Sequence, residues 1–190
     1  MLKQLKPALI IFLAMTVLTG IIYPLAITGI AQVIFPRQAN GSLITQNGQV
    51  VGSILIGQQF DNPKYFWGRL SDTGDHAYNA SASIGSNLGP TNPALVQQVQ
   101  ARLKALHDAD PSNTQPVPVD LVTASASGLD PDISIAAAQY QAPRIARLRG
   151  ISLDSVITLI NQHTQGRQLG FLGEPTVNVL ELNLALDAIK

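Results

Sequence analysis

Side chains that could carry out chemistry are few in this chain, and they are scattered. Asp72, Asp75 and His76 form the only tight group of ionisable residues in the Gly- and Ser-rich middle of the sequence. Such a group is typical of a solvated turn. The histidines at positions 76, 107 and 163 do not have the spacing of metal ligands. The sequence contains no Cys, which excludes disulfides, thiol catalysis and Cys-ligated metals.

Two stretches of Gly and Ser resemble catalytic loops but lack their defining residues. Residues 85–89, Gly-Ser-Asn-Leu-Gly, are not followed by Lys and Ser or Thr, so they do not form a phosphate-binding P-loop. Residues 124–128, Ala-Ser-Ala-Ser-Gly, lack the first glycine of a nucleophile elbow. We therefore expect no catalytic residue, no metal ligand and no cofactor bound directly by this chain.

Two longer stretches that contain these segments, residues 78–93 and 123–134, are instead candidates for a binding surface. Their small polar residues and prolines fix the backbone while leaving amides and carbonyls free to bind. The alternative is a set of tight turns and helix caps. That is the better interpretation for individual residues, such as Asn92 and Ser134.

The elements that must position these stretches begin with a β-hairpin. Asn47-Gly48 lies between two β-rich runs, and this dipeptide predicts a hairpin because both turn residues must accept a positive φ. Residues 57–92 have no periodic apolar pattern, and such a long irregular stretch is unusual inside a compact domain. It carries a cluster of aromatic residues that a disordered linker would lack, so we expect it to pack on something. The cluster consists of Phe60, Tyr65, Phe66 and Trp67.

The second half of the chain is predicted to be helical. Asn92, Ser134 and Ser152 are expected to cap three helices at their amino ends. Pro143 should break or kink the second of them. The tail, residues 177–189, fits either a strand or a helix, and its content of Leu and Ala favours the helix.

An uncharged run, residues 7–36, predicts a membrane anchor. A bilayer core about 30 Å thick needs roughly 20 apolar residues as a helix. The alternative is a cleaved signal peptide, whose apolar region is about 7–15 residues long, so the length of the run favours a retained anchor. Lys3 and Lys6 precede the run and only Arg37 follows it closely. This asymmetry favours a cytoplasmic amino terminus and an extracytoplasmic remainder.

The anchor also offers one narrow face for another helix. Thr16 and Gly20 are four residues apart, so a second helix could approach closely there, although chance explains such a pair in a segment rich in small residues. Pro24 is expected to kink the helix.

The charge of the rest of the chain gives no indication of nucleic-acid binding. Without Lys3 and Lys6, the sequence has ten basic and twelve acidic side chains.

Several motifs together give the chain a resemblance to a known family. Ser-Asn-Leu-Gly-Pro-Thr-Asn-Pro and Ser-Gly-Leu-Asp-Pro are highly specific in combination, and the whole chain is similar to the KdpC family, the small accessory subunits of the bacterial ATP-driven potassium pump. Three positions depart from the family pattern: Leu70 stands where Pro is usual, Ile84 where Gly is usual, and Asp132 where His is usual. The motifs that carry the resemblance lie at residues 57–60, 65–69, 86–93, 121–134, 141–144 and 177–183.

The resemblance implies a subunit of a complex rather than an enzyme with its own active site. The family's partners are a P-type ATPase subunit, a channel-like potassium-translocating subunit and a very small membrane peptide, and ATP and potassium are handled by that complex. Two roles are attributed to the family: a catalytic chaperone that raises the ATP affinity of the ATPase subunit, and a periplasmic cap beside the potassium entry. An extracytoplasmic domain could not contact cytosolic ATP, which favours assembly and ion-entry roles, with any effect on ATP affinity transmitted through the complex.

These considerations predict an α+β fold, with residues 1–36 as cytoplasmic tip and transmembrane anchor and residues 37–190 as an extracytoplasmic domain. That domain should be a hairpin-based antiparallel sheet covered by three or four helices. Localisation is then the inner (plasma) membrane, with a single pass. A membrane-anchored solute-binding or hydrolytic domain acting alone is the alternative, and it would be a stable monomer with a ligand pocket and a catalytic constellation.

The aromatic cluster and the rigid turn motifs lead to a hypothesis about where partners bind, because both suit an interface better than a free surface. We expect the 57–93 region to pack on the potassium-translocating subunit. A weaker hypothesis is that Asp72 and Asp75 raise the local concentration of cations. The expected partner-contacting residues are Thr16, Gly20, Phe60, Tyr65, Phe66, Trp67, Arg69, Asn87 and Asn92.

Overall fold

The computed structural model describes residues 2–189 and has the predicted α+β character. The chain divides into two compact units, Met1–Val51 and Gly52–Lys190. This division falls after the hairpin turn, later in the chain than the boundary at residue 36 expected from the end of the apolar run.

The first unit is dominated by a long helical segment. It consists of α1 (Leu2–Val17), a π-helical turn (Leu18–Ile22) and α2 (Tyr23–Ile34), followed by the short helix α3 (Pro36–Ala39). The segment Lys3–Ile34 is 32 residues long and apolar enough to cross a membrane, and it lies near the amino terminus. Its apolar side chains are exposed, as expected for a helix that has lipid or partner helices as its surroundings.

The π-helical turn lies where Pro24 disturbs the helical hydrogen bonds. Pro24 has no N–H to donate to the carbonyl of Gly20, four residues earlier. The backbone N–H of Tyr23 donates instead to the carbonyl of Leu18, five residues earlier, so the helix widens for one turn and continues. The hydroxyl of Thr16 donates to the Phe12 carbonyl at 2.8 Å, a bond of a kind that often bends helices.

The predicted hairpin is present. Strands β1 (Leu43–Gln46) and β2 (Gln49–Ser53) pair with each other. Asn47 and Gly48 connect them with φ values of 50° and 78°, the left-handed conformations that this turn requires.

The second unit contains the four remaining α-helices of the described chain. They are α4 (Pro93–Ala109), α5 (Ile135–Arg149), α6 (Leu153–Gln162) and α7 (Val179–Asp187). The three predicted caps are confirmed: the side chains of Asn92, Ser134 and Ser152 accept hydrogen bonds from backbone N–H groups of the first turns of α4, α5 and α6. A 3₁₀ turn, Val119–Leu121, lies between α4 and α5.

Pro143 does not break α5. The helix is continuous from Ile135 to Arg149 with Pro143 inside it. Pro143 leaves the carbonyl of Gln139 without its usual donor. The adjacent carbonyl, of Tyr140, accepts a hydrogen bond from the Asn113 side chain at 3.0 Å. The helix therefore tolerates the loss of one backbone hydrogen bond without a break in its course.

A three-stranded antiparallel sheet lies beside these helices, and it is not built on the hairpin. Its order is β3 (Asp132–Ser134), β5 (Thr176–Asn178), β4 (Thr164–Gln165). The alternation of apolar and polar residues could not predict these three strands, because none of them exceeds three residues. The tail uses both conformations that its pattern allowed, since β5 runs directly into α7, which is capped by the Asn178 side chain.

The core of the second unit is formed mainly by α5, α6, α7 and the central strands. The irregular stretch 57–92 contributes two large side chains to it, Phe66 and Trp67. The core also includes Leu106, Leu121, Ile133, Ala142, Ile145, Val156, Ile160, Val177, Leu182 and Leu186.

Candidate partner-binding surface

Residues 57–92, which we call the long loop, are held in place by two buried amide side chains. The Asn183 side chain of α7 accepts from the N–H of Phe66 at 2.8 Å and donates to its carbonyl at 3.0 Å. The Gln141 side chain of α5 does the same for Trp67, at 2.8 and 3.1 Å. Consecutive peptide groups of the loop are thus paired as they would be in a sheet, by side chains in place of a neighbouring strand.

Two arginines pack against the Trp67 ring. The guanidinium carbons of Arg102 and Arg144 lie 5.0 and 4.7 Å from the ring centroid, within the range of cation–π attraction. Burial lowers the pKa of Arg144 to about 10, so the side chain remains charged at neutral pH. Its charge is stabilised by the ring, by the Tyr65 carbonyl at 3.1 Å and by the Gln141 Oε1 at 2.7 Å.

These contacts place two of the expected partner-contacting residues inside the protein itself. Phe66 has 0% and Trp67 6% of its surface exposed. The sequence correctly indicated that the aromatic cluster packs on something, but for these two rings that surface is the chain's own core. They can influence a partner only through the shape that they give to the long loop.

Phe60, Tyr65 and Arg69 lie at the edge of this core and remain partly accessible. The rings of Phe60 and Tyr65 are 5.8 Å apart. The hydroxyl of Tyr65 donates to the Asp187 carboxylate at 3.0 Å, and Arg149 stacks over the same ring at 4.6 Å. This edge therefore presents an aromatic surface whose conformation is fixed before any partner binds.

The two candidate binding stretches meet in the structure. Residues 122–131, which we call the short loop, lie against the long loop. The hydroxyl of Ser71 donates to the Gly128 carbonyl at 2.6 Å, and Ser83 donates to the Ser127 carbonyl at 3.0 Å. An ion pair between Arg69 and Asp130, at 3.1 Å, joins the same loops. Nothing in the spacing of the sequence indicated this pairing.

Small residues are required where the loops touch. A Cβ atom added to Gly85 would lie 2.8 Å from the carbonyl oxygen of Ala126. Gly128 has a φ of 68°, and a Cβ atom there would lie 2.4 Å from a side-chain carbon of Thr73 and 2.7 Å from the Ile84 carbonyl oxygen. Close packing therefore explains the glycines at positions 85 and 128.

Tyr78 lines a small pocket between the long loop and α4. The pocket has a volume of about 130 Å³ and is lined by Tyr78, Arg69 and Arg102 among others. The hydroxyl of Tyr78 donates to the Arg69 carbonyl at 2.6 Å. Burial raises the pKa of Tyr78 to about 12, although Arg102 opposes the shift. Tyr78 is thus a neutral hydrogen-bond donor that fixes the loop.

Sequence reasoning missed the residues that hold the long loop. Gln141, Arg144 and Asn183 lie 74 or more positions from the loop residues whose backbone groups they bind. Buried Gln, Arg and Asn on otherwise apolar helix faces are the one signal that could have indicated them, since such groups need polar partners.

The ionisable group at 72–76 does not form a chemical site. One carboxylate oxygen of Asp72 accepts from the Gln98 side chain at 3.2 Å, while the other is buried and has no hydrogen-bond partner among residues 2–189. Asp75 and His76 are exposed. Over the described residues no group of three His, Asp or Glu side chains could hold a metal ion.

The remaining expected contact residues lie on open surface. Asn87 is exposed and has a φ of 53°, whereas Asn92 is exposed but has its side chain engaged as the cap of α4. Thr16 and Gly20 lie on the long helical segment of the first unit, and a Cβ atom added to Gly20 would meet nothing within 4 Å. The small face of that helix is therefore open in this chain.

A groove beside the Arg69–Asp130 pair carries several carboxylates. It has a volume of about 520 Å³ and is lined by Arg69, Asp120, Asp130, Asp132 and Glu174 together with apolar residues. Burial raises the pKa of Asp132, and the neighbouring Asp130 adds to the shift. Asp132 accepts a hydrogen bond from the Asn178 side chain at 3.2 Å, so it serves the fold.

Comparison with known proteins places the chain in a family. Residues 5–188 match the family described as KdpC: K+-transporting ATPase, c chain. The chain is 62% identical over 190 residues to the potassium-transporting ATPase KdpC subunit of Methylococcus capsulatus, with 100% of both chains covered. It is 65% identical over 185 residues to the protein of the same name from Herpetosiphon aurantiacus, covering 97% of this chain and 96% of the relative. With matches that extend over its whole length, the chain belongs to the KdpC family.

Proposed function

We propose that this chain is the membrane-anchored accessory subunit of an ATP-driven potassium uptake complex and carries no catalytic site of its own. The observation that carries the proposal is the family match over residues 5–188. The relatives are named as subunits of a potassium-transporting ATPase. A loop surface that is fixed by internal hydrogen bonds, with no group of side chains able to hold a metal ion among residues 2–189, suits binding to other subunits.

The apolar helix Lys3–Ile34 is proposed to span the inner membrane once. Lys3 and Lys6 precede it, and this favours a cytoplasmic amino terminus. The second unit then lies on the periplasmic or extracellular side. Protease added to intact spheroplasts should digest the carboxy-terminal part of the chain, and protection of that part until the membrane is lysed would contradict the proposed orientation.

Any effect on the ATP affinity of the ATPase subunit is then indirect. ATP is cytosolic, so a domain on the other side of the membrane acts through a coupling free energy carried by the complex. This coupling is proposed to pass through the anchor helix, where Thr16 and Gly20 allow close approach of a partner helix, and through the domain that it tethers. Comparing ATP affinity in the assembled pump with and without this chain measures the effect.

The partner surface of the long loop is proposed to consist of its accessible members. They are Phe60, Tyr65, Arg69, Asn87 and Asn92. Phe66 and Trp67 support this surface from below because their backbone groups are fixed by Asn183 and Gln141. A surface that is ordered before binding loses little conformational entropy when a partner docks.

An added charge on this surface tests the proposal. Asn87→Asp keeps a residue that tolerates a positive φ, so the fold should be unchanged while the charge opposes docking. Asn161→Asp, on the exposed side of α6, is the matched control. We expect less of the Asn87→Asp chain to be recovered with an affinity-tagged ATPase subunit from solubilised membranes. Equal recovery of both variants would show that Asn87 does not belong to the partner surface. A wild-type chain that never co-purifies with the ATPase subunit would overturn the accessory-subunit function.

Asp72 and Asp75 are proposed to raise the local potassium concentration. Asp75 is exposed, and Asp72 is half-buried with a neutral hydrogen-bond partner, the Gln98 side chain. Replacing both with Asn should raise the apparent KM for potassium, most clearly at low ionic strength where charges are least screened. An unchanged KM under those conditions would exclude the role.

A further inference from the structure

The connection between β4 and β5 carries an exposed apolar tip that the loops described above do not include. Residues 166–175 form this connection, which we call the tip hairpin. Leu169, Phe171 and Leu172 are 83%, 68% and 47% exposed. Scattered exposed apolar residues are normal on a protein surface, but three large ones within four positions form a patch that usually marks a contact.

The tip hairpin is held in one conformation by its own bonds. Gln168 and Leu172 exchange backbone hydrogen bonds, each 2.9 Å long. An ion pair between Arg167 and Glu174, at 2.7 Å, closes the base. Leu169 has a φ of 53°, a conformation that leucine rarely adopts. The hairpin therefore presents its apolar side chains already ordered, as a binding anchor does.

Three observations indicate which kind of molecule binds the tip hairpin: another subunit, the lipid bilayer or a second copy of the chain. First, the base of the hairpin is continuous with the partner surface proposed above. Glu174, Pro175 and Thr176 line the same 520 Å³ groove as Arg69 and Asp130. The exposed Val119 also lines this groove. The groove thus connects the long loop at Arg69 to the base of the tip hairpin.

Second, the charges of the hairpin cancel. Arg167 and Glu174 neutralise each other, and the sequence 166–175 holds no other charged residue. A loop that inserts among anionic lipid headgroups gains from an excess of Lys and Arg, which this hairpin does not have. The chain also already contains an apolar helix long enough to cross the membrane.

Third, the tip is too small to hold two copies of the chain together. A standard interface buries roughly 800 Å² on each partner, well beyond what three side chains supply. Such a tip suits a single anchor within a larger heterologous interface, where a few central apolar residues carry most of the binding energy.

We propose that the tip hairpin inserts Leu169 and Phe171 into an apolar pocket on the extracytoplasmic surface of another subunit of the potassium-transporting ATPase. The inference rests on the proposed function, because it requires the complex. The tip hairpin would be a second contact with the partner, in addition to the long loop. The groove at Arg69 and Asp130 lies between these two contacts. The tip supplies affinity through buried apolar area, while the polar groove rim fixes the orientation.

The test uses the full chain co-produced with the other subunits. The variant Leu169→Asn/Phe171→Ser removes the apolar tip, and Asn accepts the left-handed conformation at 169 better than Leu. The matched control, Val96→Ser/Leu153→Ser, removes two exposed apolar side chains from α4 and α6. We expect recovery with the tagged ATPase subunit to fall about tenfold or more for the tip variant, as for loss of hot-spot residues, and to be unchanged for the control.

A photo-crosslinking amino acid at position 171 identifies the occupant in native membranes. Crosslinking to one partner subunit, absent when the crosslinker is at position 153, supports the proposal. Crosslinking mainly to lipid would assign the tip to the bilayer, and crosslinking to a second copy would assign it to self-association; either overturns the proposal. If the complex assembles normally with the tip variant and position 171 forms no crosslink, the hairpin contact is wrong while the accessory function stands.

Discussion

The long loop and the tip hairpin are both Gly-containing connections with large apolar side chains, yet they use those side chains in opposite ways. Phe66 and Trp67 point into the core and are almost completely buried, whereas Leu169 and Phe171 are exposed. The difference lies in what surrounds the backbone. The long loop has Asn183 and Gln141 to satisfy its buried peptide groups, while the tip hairpin satisfies its own.

This difference shows that an aromatic residue in an irregular segment does not by itself indicate a partner surface. A loop can be buried only where its backbone N–H and C=O groups find partners. In this protein those partners are amide side chains from α5 and α7, so Phe66 and Trp67 of the long loop become part of the core. A loop without such partners stays at the surface, and its apolar side chains are then available to another molecule.

Removing one aromatic ring from the long loop and one from the tip hairpin should give the largest difference in unfolding free energy between the two regions. Trp67→Ala removes a buried ring that also packs against two arginines, so we expect a loss of about 4 kcal/mol of unfolding free energy. Phe171→Ala should change it by about 0.5 kcal/mol or less, as for most exposed sites. Urea denaturation of both variants measures this, and similar losses at the two positions would contradict the contrast.

Removing one amide partner tests the cause of the difference. Asn183→Leu leaves the buried N–H and carbonyl of Phe66 without partners, so we expect a loss of about 3 kcal/mol. Asn161→Leu, at an exposed position of α6, is the matched control and should be nearly neutral. Amide hydrogen exchange at Phe66 should accelerate in the first variant only. Slow exchange at Phe66 in the Asn183→Leu variant would mean that the Asn183 side chain does not hold the long loop in place.

Alkaline pH provides a milder way to loosen the long loop. The folded protein raises the pKa of Tyr78 from the usual 10 to about 12, so the phenol favours folding below pH 10 and this contribution is lost as the pH rises towards 12. At neutral pH, Tyr78→Phe should cost about 1 kcal/mol through the missing hydrogen bond. The stability difference between wild type and variant should shrink between pH 9 and 12, and a constant difference would show that Tyr78 does not titrate with unfolding.

Local signals in the sequence were accurate where the physics is local. The caps at Asn92, Ser134 and Ser152 and the turn at Asn47-Gly48 depend on neighbouring residues alone. Pro143 was the exception in one respect. Local sterics predicted a break or a kink in α5, and the helix is not broken there.

The candidate site was only partly predictable for the same reason. Both loops were singled out from their composition, but their contact through Ser71, Ser83 and Arg69 depends on residues about 45–60 positions apart. The three-stranded sheet was missed because its strands are two or three residues long, too short for a period-2 pattern. The tip hairpin was missed because its exposed side chains follow no periodic pattern.

The sequence by itself determined the long apolar helix, the hairpin turn, the helix caps and the family, since each depends on composition or on contiguous residues. Only the tertiary structure decided which apolar loop residues face inwards and which face outwards. The physical reason is that burial of an irregular segment depends on distant polar side chains that satisfy its backbone. For Phe66 and Trp67 those side chains lie 117 and 74 positions away, beyond the reach of any local pattern.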